Sequence, residues 1–152
     1  VLSAFLSCGK DGGPGEEAPD LETDEAILKV EIAYTGDLSD FEESVLMRVE
    51  SSKASTLRIE GPYMERFYVI QNTVSFSRGL VDLTASASYT TSERSAEMKL
   101  DVSLITKTSA PKTVNAEIRF LADGKLVGTR KVTARSDQRN VFIFSFTKDE
   151  IL

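Results

Sequence analysis

The chain has 152 residues, 18 basic and 24 acidic side chains, a formal charge of −6, one cysteine, no histidine and no tryptophan. That balance speaks against a general binder of nucleic-acid phosphates, and a single cysteine excludes an intramolecular disulfide. The missing histidine removes Ser-His-Asp and Cys-His catalysis and the common histidine-containing zinc sites, the glycine motifs that cradle phosphates and dinucleotides do not occur, and no run of about twenty apolar residues could span a bilayer as a helix.

The first eight residues, Val1-Leu2-Ser3-Ala4-Phe5-Leu6-Ser7-Cys8, form an apolar run ending in a small residue and the cysteine. The next twelve, Gly9 to Asp20, are rich in glycine, proline and acid. The junction resembles the end of a bacterial lipoprotein signal peptide, with Ser7 as the small residue before the lipidated cysteine. The resemblance implies that residues 1–8 end a signal, that Val1–Ser7 is removed, that the chain begins inside that signal, and that Cys8 carries the membrane anchor. The other reading makes Val1–Leu6 a terminal strand and Cys8 an incidental thiol. Residues 9–24 cannot bury enough apolar surface to order themselves and are expected to be a flexible acidic tether, leaving 25–152 as the folded domain.

Leu28, Val30, Ile32 and Tyr34 alternate with Lys29, Glu31 and Ala33, the period of a strand with one dry face. After the loop Thr35–Asp40, Phe41, Val45, Met47 and Val49 resume the alternation; a helix capped by Ser39 or Asp40 is the competing reading. Thr56–Glu60 reads as a short strand stopped by Gly61-Pro62. Arg66–Ile70 is apolar on both sides and is expected in a covered part of a sheet or crossing between sheets. Gln71-Asn72 turns the chain into Val74–Phe76, and Arg78-Gly79 is expected to interrupt it before Leu80. Val81–Thr90 alternates cleanly and Ala96–Leu104 repeats the pattern, so the two are expected to pair as antiparallel neighbours.

Beyond Ala110-Pro111, Thr113–Leu121 and Leu126–Arg135 flank Asp123-Gly124, a strong hairpin signal. Val114, Ala116, Ile118 and Phe120 face inward by alternation, with Val132 and Ala134 after the turn. Phe142, Phe144 and Phe146 are expected to complete the core, with Phe144 near its centre. About eight or nine short strands with regular turn signals predict an all-β fold, an antiparallel β-sandwich, with a closed barrel as the alternative. The segment from Ile118 through Asp123-Gly124-Lys125 to Phe146 resembles the late hairpin and last strand of immunoglobulin-like bacterial cell-surface modules. That resemblance implies an immunoglobulin-like sandwich and no particular activity.

Asp37, Asp40, Glu42 and Glu43 are the densest acids of the domain, but their spacing is not that of a calcium loop, and a solvated acidic loop is expected. No metal or cofactor is expected and no pair of carboxylates is singled out for catalysis. Tyr63, Tyr68 and Tyr89 are candidates for stacking on a sugar ring; the plainer alternative places Tyr89 on a core face and Tyr63 and Tyr68 in gaps beside Gly61-Pro62. The sequence thus supports a lipid-anchored, non-enzymatic module of a Gram-negative envelope at the outer membrane, periplasmic or surface-exposed, that serves protein interaction or structural spacing. A carbohydrate-binding accessory lipoprotein is the alternative, followed by an adhesin or pilus-related subunit that exchanges a strand at an open edge.

Overall fold

The structure, a computed structural model, describes residues 24–152. The expectations placed on residues 1–23, Cys8 among them, lie outside the described residues. Ten strands follow one another: β1 (Leu28–Gly36), β2 (Phe41–Glu50), β3 (Ile59–Glu60), β4 (Glu65–Ile70), β5 (Thr73–Asp82), β6 (Ser86–Thr91), β7 (Glu97–Thr106), β8 (Thr113–Ala122), β9 (Lys125–Arg135) and β10 (Asn140–Phe146). They form two five-stranded antiparallel sheets, ordered β3-β6-β1-β8-β9 and β10-β7-β2-β5-β4. The expected immunoglobulin-like antiparallel sandwich is therefore what the chain forms, with ten strands rather than eight or nine.

The alternation of β1, β2, β7 and β8 does what a period of two requires. Leu28, Val30 and Ile32 meet Met47, Val49, Leu100, Val102, Ile118 and Phe120 in one core, each almost wholly buried. Phe41–Glu50 is a strand, and the competing helix shrinks to a single 3-10 turn at Leu38–Asp40. Asp123 and Gly124 form the β8–β9 tip with φ of 49° and 81°, the left-handed pair that a tight hairpin matched to strand twist needs. Asp123 also accepts the Ile27 N–H at 2.9 Å and pairs with Arg94 at 3.2 Å. The backbone donor first, and then Arg94, hold its carboxyl below the ordinary value.

Five expectations need correction. The apparent strand Val81–Thr90 is three pieces: the end of β5, a crossing at Leu83–Ala85 and β6 in the other sheet. Alternation survives the crossing because Leu83 and Tyr89 both remain buried. Consequently β6 does not pair with β7: it lies between β1 and β3, while β7 lies between β2 and β10. Arg78-Gly79 does not end β5, which runs from Thr73 to Asp82, but marks a bulge in it: the register against β2 shifts between the pairs Val45–Arg78 and Glu43–Val81. Only Ile59–Glu60 of the expected strand Thr56–Glu60 is paired. The centre of the phenylalanine cluster shifts as well: β10 is an edge strand, so Phe146 is wholly buried while Phe142 and Phe144 are only partly covered.

Candidate binding surface

The strand order leaves β3 and β4 at one margin of the sandwich and β9 and β10 at the other. β3 stops after two residues, so most of β4 has no strand opposite it. Arg66–Ile70, expected to be covered because it is apolar on both sides, is instead an exposed edge: Phe67, Tyr68, Val69 and Ile70 are each roughly half open to solvent. Its apolar character reflects an open margin and not a buried layer.

The approach to β4 is fixed by local chemistry. Gly61 has a φ of 136°, and a Cβ there would strike the Ser88 carbonyl, so the chain can turn this close to β6 only as glycine. Pro62 follows, Met64 is buried as the plug of the turn, and Tyr63 between them is thrown outward, 81% exposed. Arg66 turns inward opposite Phe76 and donates to the carbonyls of Ala54 and Ser55 at 2.8 and 3.2 Å, tying β4 to the loop that precedes β3. A bulge between Arg66 and Tyr68 then shifts the register.

Tyr68, 55% exposed, pairs with Ser75, which pairs in turn with Arg48 and, through it, with Lys99. The four therefore stand in one row across the outer face of the second sheet. Arg48 and Lys99, with Glu50, Thr73 and Glu97, line a shallow depression beside that row. Two of the three tyrosine candidates are thus on the surface and share the β4 margin. Tyr89 is corrected: it is wholly buried between the sheets and cannot meet a ligand from solvent.

Tyr89 belongs to a group that the alternation pattern missed. The Tyr34 hydroxyl donates to one oxygen of Glu43, Arg78 pairs with the other at 3.1 Å, and the same guanidinium nitrogen donates to the Tyr89 hydroxyl at 2.8 Å. Tyr34 and Tyr89 come from the first sheet and Glu43 and Arg78 from the second, so this buried group bridges the two layers. Burial, followed by the negative charge of Glu43, pushes both tyrosine hydroxyls above their ordinary value. The signal was present in the sequence: Glu43 occupies the inward position between Phe41 and Val45, the one charged residue on the dry side of β2.

Of the other acids between Asp37 and Glu43, two have structural partners. Asp37 accepts the Thr113 N–H at 2.9 Å and Asp40 pairs with Lys112 at 3.6 Å. Among the described residues no three acids or cysteines gather in a way that could hold a metal ion.

Two solved structures share the fold. One is a domain of unknown function, DUF4425, from Bacteroides vulgatus ATCC 8482, 21% identical, with a TM-score of 0.57 over 84% of this chain and 98% of that one. The second is a DUF4425 family protein from Bacteroides ovatus ATCC 8483, 16% identical, with a TM-score of 0.56 over 82% of this chain and 96% of that one. No protein-family description matches the sequence, and no curated protein does so. At these identities the likeness is one of fold: the chain is similar to the DUF4425 structures in the way its two sheets are built and packed.

Proposed function

We propose that the chain is a non-enzymatic module of a Gram-negative outer membrane, anchored through a lipid at Cys8, that binds an envelope protein through the β4 margin. One observation carries this reading: four successive apolar residues, Phe67 to Ile70, lie exposed on an edge strand, next to the exposed Tyr63. Contiguous apolar surface of that kind is kept in soluble domains mainly where something covers it. The outer face of the first sheet offers nothing comparable. There Lys29 and Arg119 both pair with Glu31, a charged surface suited to water.

The test is a photo-crosslinking amino acid placed at Tyr68 in the full-length chain in cells, with Thr133 on the first sheet as the control position. A discrete adduct from position 68 alone is expected; no adduct, or the same adducts from both positions, overturns the reading. The anchor is tested separately by intact mass, since Cys8→Ser should release an unacylated product from the membrane fraction.

Carbohydrate binding is the second reading, favoured by the exposed Tyr68 at the end of a row that continues through Ser75 to Arg48 and Lys99, with the exposed Tyr63 at the same margin. It predicts retention on a glycan panel that Tyr68→Ala abolishes.

A further inference from the structure

We infer that the occupant of this margin is an extended segment of the partner, added as a sixth strand beside β4; the inference rests on the reading of β4 as the working surface. The backbone is prepared for it. Ile70 pairs with Thr73 across a two-residue turn and Tyr68 with Ser75, so alternation leaves the N–H and C=O of Val69 facing away from β5. Both faces of the strand are also open. Tyr68 and Ile70 stand on the outer face with Ser75 and Thr73, and Val69 lies on the inner side with Val74, where the two-residue β3 fails to cover it. An added strand would be gripped from both sides.

The size of the patch selects the kind of occupant. The exposed parts of Tyr63 and Phe67–Ile70 amount to roughly 500 Å², below the roughly 800 Å² per partner of a standard interface. A second copy would also bring a second formal charge of −6. A single strand needs no more surface than β4 offers. The other margins are unsuited: β9 carries Lys125, Arg130, Lys131 and Arg135 along its length, and on β10 only alternate residues are exposed.

Charge adds the polarity. Arg66 is occupied by the Ala54 and Ser55 carbonyls. Glu65, exposed at the start of β4, has no ion-pair partner among the described residues, and Glu60 is exposed nearby. The segment is therefore about four apolar residues followed, in the antiparallel sense, by a basic residue on its C-terminal side.

The experiment uses the full chain and a dye-labelled, end-capped peptide of alternating valine and isoleucine that ends in threonine and lysine. Its twin is N-methylated on alternate backbone amides. Fluorescence polarisation should show binding of the first peptide and a loss of at least about tenfold for the twin, because ladder hydrogen bonds are removed. Val69→Pro, which removes an outward N–H at an edge position where proline is tolerated, should lose about as much, while Val69→Thr should not. Equal binding of both peptides overturns strand addition, as does no binding of either up to about 1 mM, a concentration that detects interactions as weak as about 4 kcal/mol. If position 68 still crosslinks to an envelope protein in either case, protein binding stands and only its geometry falls; if the crosslink is absent, the reading beneath has failed.

Discussion

The two margins of the sandwich fasten the sheets by different means. At the β9–β10 margin the seal is apolar and runs to the rim: the ring of Phe120 lies 5.8 Å from Phe144 and 4.9 Å from Phe146, and Ile151 folds back over Gly128. Toward the other margin the apolar packing of Leu57, Val74 and Phe76 is joined by an ionic bridge, where Arg78 of β5 and Glu43 of β2 meet Tyr34 and Tyr89. The strand outside that bridge, β4, is left with little part in the core. An edge can thus be left open when the sheets are joined behind it: of β4 only Arg66 reaches inward, and Phe67 to Ile70 take little part in the packing.

Removing each fastening in turn separates the two margins. Arg78→Ala should cost about 3–5 kcal/mol in urea denaturation, because Glu43 would remain buried without its counter-charge. Phe146→Ala should cost a similar amount, about 3–5 kcal/mol, through lost apolar contact and a cavity. The two differ on rescue. Replacing Glu43 by leucine and Arg78 by methionine together with Tyr34→Phe and Tyr89→Phe should return most of the stability, since a buried polar group exchanged whole for apolar groups of similar volume is close to neutral and no hydroxyl is left unpaired.

Tyr34→Phe should have an intermediate effect, about 1–3 kcal/mol, by withdrawing a hydrogen bond from a charged acceptor. It should also change the alkaline limb of stability. Folding raises the tyrosine values above the unfolded value of about 10. Their contribution is therefore complete below about pH 10 and is lost as pH rises through the folded-state values. Thermal melting against pH should show a steep fall above about pH 10 that Tyr34→Phe makes shallower. The smallest effect belongs to β4 itself: Phe67→Ser with Tyr68→Ser should move stability by only about 0.5 kcal/mol, as exposed substitutions do. The same pair should abolish the crosslink from a reporter moved to Val69, and a large loss of stability instead would mean that β4 belongs to the core.

Alternation made most of the fold legible. It located β1, β2, β7 and β8 and their inward residues, and Asp123-Gly124 marked its hairpin correctly, because each of these depends on neighbours in sequence. What alternation cannot carry is which sheet a strand joins. Leu83 and Tyr89 keep their parity across the crossing at Leu83–Ala85, so two strands of different sheets read as one. The β4 margin is half legible in the sequence. Tyr63 and Tyr68 stood out as aromatic residues, but Arg66–Ile70 looked buried because apolar residues on both faces have the same pattern at an uncovered edge as in a covered layer. The Tyr34–Glu43–Arg78–Tyr89 bridge depends on four strands meeting, and only the charge at the inward position of β2 hinted at it.

The start of the domain is clamped. The Glu25 carboxylate accepts from the N–H and hydroxyl of Ser52 at 2.7 and 2.8 Å, Arg94 holds the Glu25 carbonyl and reaches Asp123, and Ala26 bridges to Ser95. Asn72, at the end of the β4–β5 turn, is joined to Ser51 at the same pole. A pull on the chain ahead of Asp24 therefore meets a knot of hydrogen bonds before it reaches β1, and β1 is itself held on both sides by β6 and β8. Were that start anchored and β4 occupied as proposed, tension would cross from the first sheet to the second through the packed core and through two hydrogen bonds, Tyr34 to Glu43 and Arg78 to Tyr89, while the Glu43–Arg78 pair ties β2 to β5 within the second sheet.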